Sequence, residues 1–327
     1  MKKTEILSML RESEGYVSGQ QICEKFHVSR TAVWKVIEQL KEEGYQIEAV
    51  RNRGYRLSES PDILSQAEIE SRISTEWAGR NVSYFRETDS TNTQAKRLGE
   101  EGAPAGTLAV ADRQMAGKGR RGRSWDSPPG RDIYMSLLLR PDIRPSDAPM
   151  LTLVMAQSVA EAIREKTGIN ARIKWPNDIV AGGKKLCGIL TEMSAEMDYI
   201  NYIVIGVGIN VNQPSFPEDI ADRATSLMLE AGRSFLRGPL IAAVMERFED
   251  NYSRFLGTND LSGMREAYNE LLVNVGEQVR VLEPGHEYNA LSFGINDRGE
   301  LLVRKEDGSR EAVFAGEVSV RGIYGYV

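Results

Sequence analysis

Metal-binding and thiol side chains are almost missing from this sequence: its 327 residues include two Cys and two His. Cys23 and Cys187 cannot build a disulfide framework or a zinc site of four thiolates. His27 and His286 lie far apart with no second His near either, so paired-His metal motifs are absent. A Ser–His–Asp triad stays open, but each His would need distant partners. Two free thiols suit a reducing cytosol, and a cytoplasmic protein is expected. The start, Met1-Lys2-Lys3-Thr4-Glu5-Ile6, has no apolar stretch of the signal-peptide kind. No run approaches the roughly 20 apolar residues of a membrane span. Hydrophobic residues at 41 % and charged residues at 27 % are ordinary for a globular protein. At about 150 residues per domain the length predicts two or three domains. The net charge of −6 argues weakly against a general nucleic-acid coat, but it says nothing about local patches.

Residues 1–60 read as one such local case. Ile6, Leu7 and Leu10 repeat at helical spacing. Ser18 and Gln21 have capping-box spacing and predict a second helix. After the break at Phe26-His27-Val28, Ser29 is placed to cap a third, with Val33, Val36, Ile37 and Leu40 inward and a stop near Gly44. Two extended pieces around 47–50 and 54–57 follow. Three helices and a small hairpin make the winged helix-turn-helix pattern, whose third helix enters the major groove. The section holds ten Lys/Arg and nine Asp/Glu, yet 51–56 holds three Arg and no acid. Ser29, Arg30, Thr31, Trp34 and Lys35 on the helix, with Arg51 and Arg53 on the wing, are the expected DNA contacts. The alternative is a small packing unit with solvated charges. So few phosphate contacts predict binding as a dimer.

Pro61-Asp62 reads as a linker. Residues 65–270 mix apolar strands (106–111, 133–139, 202–209) with amphipathic helices, the clearest from Met150 to Lys166 with Gly168 as its stop. The order is not a clean βαβ alternation, so a multidomain α+β protein with a central mixed sheet is expected. Residues 271–327 alternate short strands with turn signals at Pro284-Gly285, 296–299 and 306–308. They predict a small antiparallel β-barrel.

Four stretches carry chemistry. From 113 to 125 there are five cations and no acid, with Gly117, Gly119 and Gly122 among them. Such a loop should be mobile when free, because glycines are costly to order and like charges repel. Glycine lets backbone N–H groups approach an anion, and arginine adds forked donors, so a lid over a phosphate-bearing ligand is expected. A solvated basic loop or a second nucleic-acid contact is the alternative. Lys174-Trp175-Pro176-Asn177-Asp178 precedes Gly182-Gly183 and an apolar strand led by Lys184-Lys185. A lysine buried there needs an anionic partner, although surface lysines on an ordinary hairpin fit equally. Asp89-Ser90-Thr91-Asn92-Thr93-Gln94 offers hydroxyl and amide groups for a small polar ligand, or simply a helix start with Thr91 and Gln94 as capping box. Gly206-Val207-Gly208 lacks the third glycine of a dinucleotide fingerprint.

In order and wording these stretches resemble the biotin–protein ligase family, over essentially the whole chain. The front unit resembles the bifunctional members, which also repress biotin genes, and the C-terminal section resembles their SH3-like barrel. The resemblance implies biotin contacts at Ser90, Thr91, Asn92, Gln114, Lys118, Gly119, Arg120 and Lys185. It implies an adenylate-covering loop with Gly117, Arg121, Gly122, Arg123 and Trp125, and a nucleotide side with Asn210, Lys174 and Asp178. Lys185 and Arg120 would be catalytic. The family often has Arg where this chain has Lys118, which keeps the charge and loses the fork.

The implied reaction joins biotin to ATP, with Mg²⁺ arriving on the nucleotide and no separate metal site. The biotinyl adenylate then acylates a lysine of a carrier domain of the acetyl-CoA carboxylase or pyruvate carboxylase type. The same adenylate would act as corepressor for a homodimer on operator DNA, with no membrane partner. A lipoate or octanoyl ligase, and a non-enzymatic metabolite-sensing repressor, are the alternatives.

Overall fold

The computed structural model describes residues 3–283, 286–314 and 319–322. Three helices, α1 (Lys3–Glu12), α2 (Gly19–Phe26) and α3 (Arg30–Glu42), pack on the hairpin of β1 (Gln46–Val50) and β2 (Gly54–Glu59). The capping box forms: Ser18 Oγ accepts from Gln21 N–H, and Gln21 Oε1 accepts from Ser18 N–H. Ser29 Oγ accepts from Ala32 N–H at 3.2 Å to start α3, after His27 turns the chain at φ 53°. Ile6, Leu7, Leu10, Ile22, Val33, Ile37 and Leu40 form the core, with Val36 at its margin.

The linker is held on both sides. Arg237, 1 % exposed, donates its backbone N–H to Asp62 Oδ1 (2.8 Å) and its guanidinium to Asp62 Oδ2 (3.1 Å) and Asp112 (3.0 Å). Nearby, Glu68 of α4 (Gln66–Glu70), 1 % exposed, accepts from the Tyr45 hydroxyl, Arg11 and Arg72, each at 2.5 Å. One buried carboxylate therefore serves donors from both sides of the linker.

The central unit continues with β3 (Asn81–Phe85), α5 (Thr91–Glu100), β4 (Thr107–Ala111), β5 (Ile133–Leu139), α6 (Met150–Thr167), β6 (Arg172–Lys174), β7 (Asp178–Ala181), β8 (Lys184–Ala195), β9 (Ile200–Ile209), α7 (Leu227–Ala231) and α8 (Arg237–Thr258). Among the described residues its sheet has the order β3-β4-β5-β9-β8-β7-β6, with β3–β4 the only parallel pair. The sheet is mixed, as the irregular element order predicts. Every residue of β5 is buried because both faces are covered. Met135, Leu137 and Leu139 enter the large core with α6 and α8, while Leu138 meets Ala95 of α5 on the other side.

The central unit ends with α9 (Arg265–Leu271), and the last section adds β10 (Gln278–Glu283), β11 (His286–Ile295), β12 (Leu301–Lys305), β13 (Arg310–Val313) and β14 (Ser319–Gly322). Its antiparallel sheet runs β13-β12-β11-β10-β14. The expected turn at Pro284-Gly285 lies outside the described residues. At the 296–299 turn, Asn296 Oδ1 accepts from the N–H groups of Arg298 and Glu300. The buried Trp175 indole donates to Gly299 O at 3.0 Å, so this tryptophan anchors the C-terminal sheet rather than lining a site. Among the described residues no helix is long and apolar enough to cross a membrane.

Candidate functional site

Strands β8 and β9 supply a floor on which glycine is required. Gly188 pairs with Gly208 across the two strands, and Gly206 follows two residues before on the same face. A Cβ at Gly208 would stand 2.7 Å from the Trp125 indole, and one at Gly188 2.8 Å. A Cβ at Gly206 would stand 2.0 Å from Asn92 Oδ1. The glycine pair read as a weak dinucleotide signal thus lets an aromatic ring and an amide lie directly on the sheet. Gly188 was not singled out from sequence; the spacing of two in Gly206-Val207-Gly208 is the signal that points to this face.

A cleft opens above that floor. Ser90, Thr91 and Asn92 line it from the start of α5, Gln114 from the segment after β4, and Lys118, Gly119 and Arg120 from the loop. The expected capping box of Thr91 and Gln94 does not form. Ser90 is the N-cap residue, its hydroxyl makes no cap bond, and Gln94 instead donates to Thr88 (2.7 Å) and Asp89 (3.0 Å). Thr91 N–H is satisfied by Gln114 Oε1 at 2.9 Å, because Gln114 Nε2 is tied to Ser127 Oγ at 2.9 Å and its oxygen must face α5. Ser136 Oγ lies 2.8 Å from Thr91 Oγ1 and 2.7 Å from Asn92 Oδ1 beneath them.

The basic loop is folded on itself. Gly119 N–H donates to Arg123 O (2.7 Å) and Trp125 N–H to Gly117 O (2.9 Å), making a small hairpin. It opens only the short 3₁₀ turn Arg120–Gly122, with Arg121 at φ 57°. Gly117 is buried: a Cβ there would meet Trp125 O at 2.4 Å. Arg121, Gly122 and Arg123 are exposed, and Lys118 reaches Thr93 Oγ1 at 3.4 Å. Arg120 Nη1 donates to Asn177 Oδ1 at 3.0 Å, and Asn177 Nδ2 donates to Ile189 O at 3.0 Å. Asn177 therefore has one orientation and aims its oxygen at Arg120. Burial lowers the Arg120 guanidinium, and Asp178 works against that shift. It stays charged.

Lys185 stands at the far end of this cleft, following the two-residue Gly182-Gly183 turn, whose φ values of 55° and 78° suit glycine. Its ammonium is 2.6 Å from Asp178 Oδ1 and 5.3 Å above the Trp125 ring. Of the two readings of this stretch, Lys185 fits the hairpin one, part-exposed with its own carboxylate partner, while Lys174 is the buried lysine. Beneath it burial pushes the Cys187 thiol up, so it is no nucleophile at neutral pH.

A second, larger cavity lies beyond Trp125 and shares both Trp125 and Lys185 with the first. Arg123, Asp132, Asn210 and Arg223 line it. Asn210 Nδ2 is tied to Thr225 O at 2.9 Å. Among the described residues the buried indole N–H of Trp125 has no acceptor. Two adjoining spaces with an ammonium at their junction suit one small ligand and one larger ligand reacting there. Asp178 reaches this junction through Lys185, whereas Lys174 is buried in β6 and lines neither space.

On the front unit, Thr31, Trp34, Lys35, Arg51 and Arg53 are exposed, and Trp34 is 54 % exposed. Ser29 is used as a cap, and Arg30 donates to Gln20 at 3.0 Å. Arg56 is drawn back from the wing: Glu48 on the opposite strand accepts from it at 2.9 Å. Tyr16 also donates to Glu48 and lies beneath both Arg53 and Arg56.

Residues 84–210 match the Biotin/lipoate A/B protein ligase family, residues 2–56 an HTH domain and residues 275–321 the Biotin protein ligase C terminal domain. The Bifunctional ligase/repressor BirA of Bacillus subtilis is 42 % identical over 298 residues, covering 90 % of this chain and 91 % of the relative. The protein of that name from Escherichia coli is 31 % identical over 317 residues, 97 % and 96 % of the two chains. Among solved structures, the biotin protein ligase from Aquifex aeolicus in complex with biotin and ATP is 34 % identical. Its TM-score is 0.66, over 74 % of this chain and 99 % of that one.

Proposed function

The chain belongs to the biotin–protein ligase family, and on that premise we propose that it makes biotinyl-5′-AMP in the two adjoining cavities, passes biotin to a carrier-domain lysine, and uses the adenylate to control DNA binding. The observation that carries this reading is the place of Lys185, where the smaller and larger spaces meet.

Biotin takes the smaller space, with Ser90, Thr91, Asn92 and Gln114 around its ring and Lys118, Gly119 and Arg120 above it. ATP takes the larger one, with Trp125, Arg123 and Asn210 on its walls. A carboxylate oxygen of biotin attacks the α-phosphorus, the bond to the β-phosphate oxygen breaks, and pyrophosphate leaves. Both reactants are anions, so the chain's task is to screen charge and hold them in line. Lys185 bridges the carboxylate and phosphate oxygens, and Arg120, steadied by Asn177, retains the product. In the second step the neutral amine of a carrier lysine attacks the acyl carbon, AMP leaves with the bonding pair, and the nitrogen releases its extra proton to solvent. Among the described residues no three His, Cys, Asp or Glu side chains gather as a metal cage. Mg²⁺ would come with the triphosphate, with no separate protein site, and would supply charge neutralisation there.

Control follows from the same loop. An adenylate that holds residues 117–125 down alters the surface they present, which favours a homodimer, and a dimer places two recognition helices on operator DNA. The acceptors are biotin carboxyl-carrier domains, and the place of work is the cytoplasm, which two free thiols suit. The test is incubation with ATP, a carrier domain and either labelled biotin or labelled lipoate. Label from biotin on the carrier lysine is expected; label from lipoate alone, or none, overturns the ligase reading. Sedimentation and DNA titration with and without biotin plus ATP test the switch separately.

A further inference from the structure

We propose that Glu192 is a positioning residue for the substrate's cyclic urea: it fixes the Asn92 amide with its oxygen at the cleft floor. The inference rests on the reading that the smaller space takes biotin. Asn92 is 4 % exposed and lines that space, whereas Glu192 lies beside it on β8 and does not. Asn92 Nδ2 donates to Glu192 Oε2 at 2.8 Å and to Leu190 O at 3.3 Å. Its Oδ1 takes Ser136 Oγ at 2.7 Å and sits where a Gly206 Cβ would come within 2.0 Å, at the floor.

An asparagine amide is nearly symmetric in shape, so its two faces are told apart by hydrogen bonding alone. Ser136 cannot choose between them, because a hydroxyl donates or accepts. The acceptor-only groups, Glu192 and the Leu190 carbonyl, decide. The carboxylate is the stronger of the two because its bond is charge-assisted. A cyclic urea shows one carbonyl flanked by two N–H groups, which need acceptors. With Glu192 in place the amide offers oxygen at the floor. Flipped, it would offer a second donor against a donor and leave buried groups unpaired, the kind of mismatch that discriminates strongly. Lys96 pairs with the other carboxylate oxygen and is not required for the orientation.

The experiment measures pyrophosphate release against biotin and against ATP for wild type, Glu192→Leu, Glu192→Gln, Lys96→Met, Asn92→Ala and the Asn92→Ala/Glu192→Leu double variant. Glu192→Leu is expected to raise KM for biotin about tenfold with kcat and KM for ATP near wild type. Glu192→Gln, whose oxygen still accepts, restores most of it, and Lys96→Met changes none of the three. The double variant matches Asn92→Ala, since Glu192 acts through that side chain. If Glu192→Leu does not fold, Glu192→Ala, which adds no bulk, is read in its place. A wild-type biotin KM in a folded variant, or full additivity in the double, overturns the inference while leaving the ligase reading intact. A wild-type chain that releases no pyrophosphate with biotin overturns both.

Discussion

Lys185 and Asp178 form an ion pair at the junction of the two cavities, Nζ to Oδ1 at 2.6 Å. The ammonium is therefore held in place by the protein itself, and on the proposed reading phosphate oxygens would meet a cation already oriented. Such preorganised charge is worth more in a confined site than in water. Lys185→Ala is expected to slow adenylate formation by about 10²–10³ or more, with the front unit still folded by circular dichroism. Normal pyrophosphate release by that variant would falsify the assignment.

The floor predicts a second effect. Gly208→Ala places a methyl where the Trp125 ring now lies, 2.7 Å from its atoms. The ring must lift, at a cost of about 1–3 kcal/mol, and KM for ATP should rise about tenfold. The check is adenylation kinetics alongside a thermal melt; an unchanged KM for ATP at reduced stability would show that Trp125 does not serve the nucleotide.

Burial pushes the Asp132 carboxyl up from 3.8 to about 6. Below pH 3.8 the group is protonated folded or unfolded, and its ionisation costs nothing. Between the two values the unfolded chain loses the proton first, so stability falls as pH rises, by about 3 kcal/mol in all. Asp132→Asn keeps an acceptor for the Val211 N–H now bound at 2.7 Å and removes the penalty. The variant's melting temperature relative to wild type should climb from pH 4 to pH 7. A gap that stays constant with pH counts against an uncompensated buried carboxylate.

Glu68 accepts from Tyr45 and Arg11 on one side of the linker and Arg72 on the other. Glu68→Ala strands two guanidinium groups, and breaking such a buried pair costs about 3–5 kcal/mol. Differential melting and limited proteolysis should show the first 60 residues loosening from the rest. Unchanged protease resistance near residue 60 means that other contacts hold the two units together.

On DNA, Arg53→Ala should lower the salt slope of binding to random duplex by about one. Arg56→Ala should change it less, because Glu48 already holds that guanidinium. Equal slopes for the two variants would count against this division of the wing.

Much of this was legible in the linear sequence because the signals are local. The Ser18/Gln21 capping box, the Ser29 cap and the Gly168 stop each depend on residues within a few positions, and each sits where it was expected. The mixed sheet followed from element order. The capping box at Thr91 failed because Gln114, 23 residues on, competes for the same backbone N–H.

What the sequence by itself determined was the set of elements, the glycine and cation content of the loop, and the family likeness of the motifs. What only the tertiary structure decided was pairing across the chain. Cysteine and histidine scarcity pointed to chemistry run by placed charge, yet it could not say that Lys185 is matched to Asp178, Arg120 to Asn177 or Asn92 to Glu192. Hydrogen bonds and ion pairs act over a few ångströms, and strand register, not sequence spacing, brings those partners that close.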